Sequence, residues 1–329
     1  MTCVMSFFAS LSKVHCNKGL LTIGNRIFGL VQLNGLSLVP KPPARINAFR
    51  LSAIADRKLI IDRLAIKRFL EKECDRSLKV LLHEMSWTEA KEYFLKNDIA
   101  ILPVGSNEQH GPHNPLGTDH LIAKAIAEET AKRTGVVCLQ VIPFGVSPHH
   151  KQLWGTIYIS PKAFKKYVKE TCLALKYYGV KKIVVVNGHG GNLSSLSELA
   201  REIREEGVFV SVFQWWPAAA KLLPDLFDLE ERKHASAEET SVNLALHPHI
   251  VNMSRAVDEI SRMHPVQTEG ITLPLDTVDF SRTGVWGKST TASAKKGKKD
   301  LEAVVSELAR HVKLLRDAKF GDLALKPKA

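Results

Sequence analysis

Three short stretches hold most of the residues able to do chemistry. "GSNEQHGPHNPLGTDH", Gly105 to His120, gathers Glu108, His110, His113, Asp119 and His120 between glycines and prolines that turn the chain. Glu108 and His110 are two apart, so in an extended segment they project to the same side. "NGHGGN", Asn187 to Asn192, sets His189 among three glycines straight after a β-branched run. It lacks the Lys-Ser/Thr of a Walker-type loop and the GxGxxG spacing of a dinucleotide fold. Its glycines therefore read as allowing close backbone approach around a metal-ligating histidine. "HASAEETS" supplies His234, Glu238 and Glu239. The adjacent glutamates cannot share a helix face, so one is expected to point inward while the other sits as a solvated first-turn charge. Each stretch alone also has a plain structural reading. Thr118 and Asp119 are ordinary helix-start residues, a lone histidine is commonly structural, and a histidine after "ERK" can be a surface residue.

The elements that must position these residues are legible between them. "SWTE" at Ser86–Glu89 has the form of a capping box and predicts a helix start. "DIAILPVGS" reads as a buried strand, "HLIAKAIAEETAKRTG" as a helix ended by Gly135, "VVCLQVIPFG" as a strand and "SPKAFKKYVKETCLALKYYG" as a helix. "KKIVVVNG", "NLSSLSELAREIREEG" and "VFVSVFQWW" continue as strand, helix and strand, and "SVNLALHPH" is a helical run. This alternation predicts right-handed βαβ units and a mostly parallel sheet buried on both faces. Functional loops then belong at the C-terminal ends of the strands, where the first two stretches fall. Trp215 and Trp216 are expected at the rim of such a site, Trp154 at a pocket or subunit contact, and "KKGKK" at Lys295–Lys299 as a solvated run before the last helix.

Bulk properties narrow the function classes. The 329 residues are 45% hydrophobic and 24% charged, ordinary values for a globular protein. No run of apolar residues is long enough to cross a membrane. The net charge of +12 is uneven, since residues 1–82 hold 14 Lys/Arg against 5 Asp/Glu while the remainder holds 32 against 29. A nucleic-acid role would therefore rest on the N-terminal arm and is not favoured. Five scattered cysteines without CxxC spacing point to reduced thiols and a cytoplasmic location. Residues 1–83 read as a basic, poorly patterned N-terminal extension, with Met85 opening the well-formed part and an alternative start a live option. Residues 84–320 read as the single well-patterned domain and 321–329 as a tail.

The order of "LPVGSNEQHGPHNPLGTDHLIA", "NGHGGN", "HASAEETS" and "TGVWGKSTTASAKKG" resembles the creatininase family of metal-dependent amidohydrolases over about residues 84–318. The resemblance implies a three-layer α/β/α fold and two divalent metal ions per chain, Zn, Mn or Fe. By that resemblance Glu108 and His189 bind one ion, His110 the other, and Asp119 bridges them. Creatininase has a further glutamate ligand where this chain has Gly191, and Glu239 is the candidate replacement. It also has a tryptophan before the third-stretch histidine, where this chain has "LEERKH", so creatinine is not the expected substrate.

The function implied is hydrolysis of an amide or cyclic-amide C–N bond in a small molecule. His234 or Glu239 would carry the proton to the leaving nitrogen. The alternatives are a deformylase acting on a nucleotide-like pterin or flavin precursor, or an inactive ligand-binding relative. The resemblance further implies a homo-oligomer, the family being often hexameric. His113 and His120 are expected beside the site rather than as ligands, and His149 and His150 either in the pocket or in a solvated loop.

Overall fold

The computed structural model describes residues 14–17, 20–23, 26–28, 79–260 and 264–323, and the chain divides into two units, Met1–Leu78 and Lys79–Ala329. In the first, β1 (Val14–Asn17), β2 (Leu20–Ile23) and β3 (Arg26–Phe28) form an antiparallel sheet in that order. The helical pattern expected near residues 56–76 lies outside the described residues.

The second unit opens at Val80–Leu81, where Val80 O accepts from Cys138 N at 2.7 Å and Leu81 forms a parallel bridge with Cys138. Helix α1 (Trp87–Phe94) follows, started by the Ser86–Glu89 capping box. Strand β4 (Ile99–Val104), helix α2 (Thr118–Thr134) and strand β5 (Val137–Cys138) come next, with Gly135 ending α2 in the left-handed conformation at φ +71°. Then come α3 (Pro161–Tyr177), β6 (Lys182–Asn187), α4 (Leu193–Glu205) and β7 (Phe209–Gln214). Helices α5 (Trp215–Leu222), α6 (Ala237–Leu246), α7 (Ala294–Asp317) and α8 (Phe320–Leu323) complete the chain.

The sheet is parallel throughout, in the order β5-β4-β6-β7. Its continuous apolar strands follow from burial on both faces. Along β4 and β6 alternate residues go to opposite layers. Ala100, Leu102, Val104, Ile183 and Val185 pack with residues of α3 and α4, while Ile99, Ile101, Val184 and Val186 pack with α2, α5 and α7. This is the expected three-layer α/β/α fold.

Three local expectations are corrected. Strand β5 is only two residues, because the stretch beyond it keeps single bonds to β4 (Leu139 N to Ile101 O, 2.9 Å; Ile142 N to Pro103 O, 3.0 Å) and then meets Pro143. Trp215 is core, 1% exposed, and opens α5 rather than ending a strand. The lysine run belongs to α7's first turns, where Gly297 is pressed against α6 so closely that a Cβ would meet Ser241 O at 1.9 Å.

The order of connections matters for the site. From β4 the chain moves outward to β5, then crosses β4 to reach β6. The loops leaving β4 and β6 thus part at a topological switch point, where open α/β sheets bind ligands. A chain beginning at Lys79 keeps the Val80 and Leu81 contacts and is expected to retain the cooperative urea unfolding of the α/β unit. One beginning at Met85 loses the Val80 and Leu81 contacts and should be about 2–4 kcal/mol less stable in urea unfolding.

Candidate metal centre

Strands β4 and β6 end side by side, with Val104 in register with Asn187. The first helical turn of α2 sits directly over these ends. A Cβ on Gly105 would fall 2.4 Å from His120 Cα, and one on Gly188 would fall 2.2 Å from Asp119 O. Glycine at both positions is what lets Asp119, the second residue of α2, sit between the two strand exits.

The buried side chains converge there. Glu108 Oε2 and Asp119 Oδ2 each lie 3.1 Å from His189 Nδ1. Asp119 Oδ1 lies 3.0 Å from His110 Nε2, which in turn is 3.7 Å from Glu239 Oε2. One carboxylate therefore offers an oxygen to each of two sets, Glu108–Asp119–His189 and His110–Asp119–Glu239, within each of which the donor atoms lie within 4.8 Å of one another. Glu239 is the glutamate that faces this gap, and its Oε2 is held by Ala235 N at 2.7 Å. Ala235 has φ +56°, the left-handed region that disfavours a β-carbon, and stands between His234 and Ser236. Glu238 is buried, 1% exposed, rather than the expected solvated charge, and it pairs with Arg232 instead of joining either set.

Both imidazoles are oriented from behind. His189 Nε2 is 2.9 Å from Val146 O and His110 Nδ1 is 3.1 Å from Glu108 O. A carbonyl only accepts, so those nitrogens carry the hydrogen, and in the neutral rings the lone pairs of Nδ1 of His189 and Nε2 of His110 face the carboxylates. Glu108 Oε2, Asp119 Oδ2 and His110 Nε2 are buried with no hydrogen-bond partner. Converging buried lone pairs are costly without a positive charge between them. This imidazole and carboxylate set, free of thiols, suits zinc, manganese or iron.

The electrostatics agree. Burial opposes charge on His110, but Asp119, Glu239 and Glu108 outweigh it and push its pKa up to about 10. Burial likewise opposes charge on His189, and Glu108 and Asp119 hold it well above the usual imidazole range. Asp119, despite burial, is kept far below the carboxylate range by His110 and His189.

A cavity of about 310 Å³ opens on this gap, lined among others by His149, His150, Trp216, Arg232, His234 and Trp286. His234 stacks on His150 at a ring distance of 4.5 Å and lies tilted beside His110 at 4.4 Å, with Nδ1 3.9 Å from Glu108 Oε1. Burial, then His110 and His150, hold its pKa well below the usual value, so the ring is neutral. His150 is buried with Nε2 3.4 Å from Glu108 Oε1, and His149 shares the cavity wall. His113 bonds Thr240 Oγ1 at 2.9 Å and His120 bonds Ser106 O at 3.0 Å, so neither reaches the gap. Trp154 stands 96% exposed and does not line the cavity.

Several contributors escaped the sequence reading. Asn192 ties three loops together, accepting from Val146 N at 2.9 Å and donating to Gly105 O at 3.0 Å. Its place in "NGHGGN" was the available signal. Trp286, in "TGVWGKS", brings an indole 4.9 Å from the His234 ring. Gln109, between two gap-facing residues, gave no signal at all.

An α/β/α sheet with two carboxylate–imidazole sets sharing one aspartate at its switch point defines a metallohydrolase-type domain. The sequence profile described as creatininase, creatinine amidohydrolase, matches residues 83–312, and the chain belongs to the creatininase family. It is 29% identical over 272 residues to 3-dehydro-scyllo-inosose hydrolase of Thermotoga maritima, covering 74% of this chain and 85% of that one. It is 28% identical over 252 residues to creatinine amidohydrolase of Pseudomonas putida, covering 71% and 96%. A solved Zn–Zn form of a creatininase mutant superposes with a TM-score of 0.63 at 26% identity, covering 73% of this chain and 99% of that one.

Gly191 lies where a Cβ would meet Val146 O at 2.2 Å and His189 Nε2 at 2.5 Å. Gly191→Ala should therefore break the bond that orients His189 and cost about 1–3 kcal/mol in urea unfolding. A second expectation concerns pH. The His110 pKa is raised from 6.5 to about 10 on folding, so the stability it contributes is full below 6.5 and gone above 10. Chelator-treated protein should lose melting temperature between these limits, and saturating zinc should abolish the loss.

Proposed function

We propose that the protein hydrolyses the C–N bond of a small amide or cyclic amide, with two divalent cations held by Glu108, Asp119 and His189 on one side and by His110, Asp119 and Glu239 on the other. The observation that carries this reading is the split of the Asp119 carboxylate, 3.1 Å from His189 on one oxygen and 3.0 Å from His110 on the other. Ions in such a pair supply Lewis-acid polarisation of a carbonyl and acidify water.

The chain's own groups do the rest. His234, neutral and bordering the cavity, accepts the proton that water loses as its oxygen bonds the carbonyl carbon. The same ring then delivers that proton to the nitrogen as the C–N bond breaks. The Ala235 N bond and the approach to His110 support a ligand role for Glu239, and the proton transfer is therefore assigned to His234. Flat faces of Trp216, Trp286, His149 and His150 line the cavity and suit a planar substrate. Its volume of about 310 Å³ is at the small end for ligand pockets and favours a compact amide over a nucleotide-like deformylase substrate. These tryptophans come from α5 and the 281–289 loop rather than from the segment before His234, so the cavity has aromatic walls drawn from other parts of the chain. No helix among the described residues is long and apolar enough to cross a membrane.

Elemental analysis tests the metal assignment. Protein purified without chelators should carry about two transition-metal ions per chain, and Asp119→Ala should lose most of them with unchanged circular dichroism. Absence of stoichiometric metal in the parent protein would overturn the reading. His234→Ala should retain the metal and lower kcat about 10²–10⁴-fold on any amide the parent protein turns over.

A further inference from the structure

Gln109 lies between Glu108 and His110, and alternation along the extended chain sends its side chain away from the gap. It is nevertheless 5% exposed, in a pocket formed by three other segments. Gly111 N donates to its Oε1 at 2.9 Å, which settles the orientation of the carboxamide and leaves Nε2 as the outward atom. Nε2 has three neighbours: His150 Nδ1 at 2.9 Å, His234 Nε2 at 2.9 Å and Gly284 O at 3.2 Å. An amide nitrogen has two hydrogens and no lone pair, so it serves only two of them, and both must accept.

The choice is made by a fourth contact. His234 Nε2 is 3.0 Å from the backbone oxygen of Gln109, which can only accept, so this ring carries its hydrogen on Nε2. Its Nδ1 is then the free lone pair, on the side of Glu108. The two amide hydrogens go to Gly284 O and His150 Nδ1. His150 Nδ1 is therefore an acceptor, which the Thr277 hydroxyl also approaches at 2.7 Å, and its hydrogen sits on Nε2, 3.4 Å from Glu108 Oε1. Gly284 supports the fit independently. It has φ +82°, and a Cβ there would fall 1.8 Å from Gln109 Oε1, so the loop carrying Trp286 is shaped around this carboxamide.

We infer that Gln109 is a positioning residue that sets the tautomers of His150 and His234 together, through its side-chain amide and its backbone carbonyl respectively. It aims an N–H of His150 at Glu108 and keeps Nδ1 of His234 free as a proton acceptor. The inference takes its functional meaning from the hydrolase reading above, but the tautomers themselves are physical facts that can be read without turnover.

The test uses the full chain labelled with 15N-histidine, treated with chelator, with long-range 1H–15N spectra taken at a pH above the imidazole range. His150→Asn and His234→Asn variants assign the two rings. In the parent protein both rings should show pyrrole-type Nε2 and pyridine-type Nδ1. In Q109E the oxygen replacing Nε2 only accepts, so His150 should exchange the two signal types. In Q109M, which has no donor, His150 should show averaged shifts of mixed tautomers. Thr277→Val keeps Gln109 and should leave His150 as in the parent. His150 found as the Nδ1–H tautomer in the parent protein would overturn the inference. So would a switch in Thr277→Val without one in Q109M, or an unchanged His150 in a Gln109 variant with native circular dichroism. Loss of the metal reading, by contrast, would appear only in the elemental analysis.

Discussion

Everything at the sheet's rim depends on one buried carboxylate being held between two imidazoles. Asp119 is 3% exposed, and its two oxygens are directed to His189 and His110, which arrive on different loops. Such a group is tolerable in a protein interior only when positive charge meets it. The backbone makes the placement sterically feasible through Gly105 and Gly188, each of which would clash within 2.5 Å if it carried a side chain. Charge and close packing thus impose a joint constraint. The charge calls for ligands on both sides, and the packing leaves room only for loops that run over β4 and β6 with glycine at the crossings.

Around this centre the protein divides labour by burial and hydrogen bonding. Histidines beside the carboxylates are drawn toward protonation or cation binding, as His110 and His189 show. Those set further back, His150 and His234, are held below the usual imidazole range by burial first and then by neighbouring imidazoles, His149 beside His150 and His110 beside His234. Four imidazoles within one small volume therefore differ in the direction in which their pKa is moved, two up and two down, without any difference in residue type. The pairing of Glu238 with Arg232 performs a related separation between adjacent glutamates, removing one from the gap while Ala235 N steers Glu239 into it.

Much of the fold was legible because its signals are local. The Ser86 capping box, the Gly135 stop and the apolar runs of β4 and β6 each follow from a few consecutive residues. The Gly105–His120 and Asn187–Asn192 stretches were legible for the same reason, since they sit directly after strand runs. Where local signals compete, the reading slipped. Trp215 continues a strand-like pattern, yet its burial against α7 places it in a helix. Of the lysine run, Lys296 pairs with Glu231, while Lys295, Lys298 and Lys299 stay exposed. Gln109 was invisible because its partners are 41, 125 and 175 residues away.

By itself, then, the sequence determined the order of strands and helices, the glycines that permit close approach, and the kinds of atom available to bind cations. Those properties are written residue by residue, in propensity, periodicity and side-chain chemistry. Only the tertiary structure decided which glutamate of the Glu238–Glu239 pair faces Asp119 and His110, and which histidines stand beside the buried carboxylates. It alone brought Trp286 and Gln109 to the site. The reason is that these outcomes depend on distances between segments remote in the chain, and hydrogen-bond geometry and burial come into being only when the segments meet.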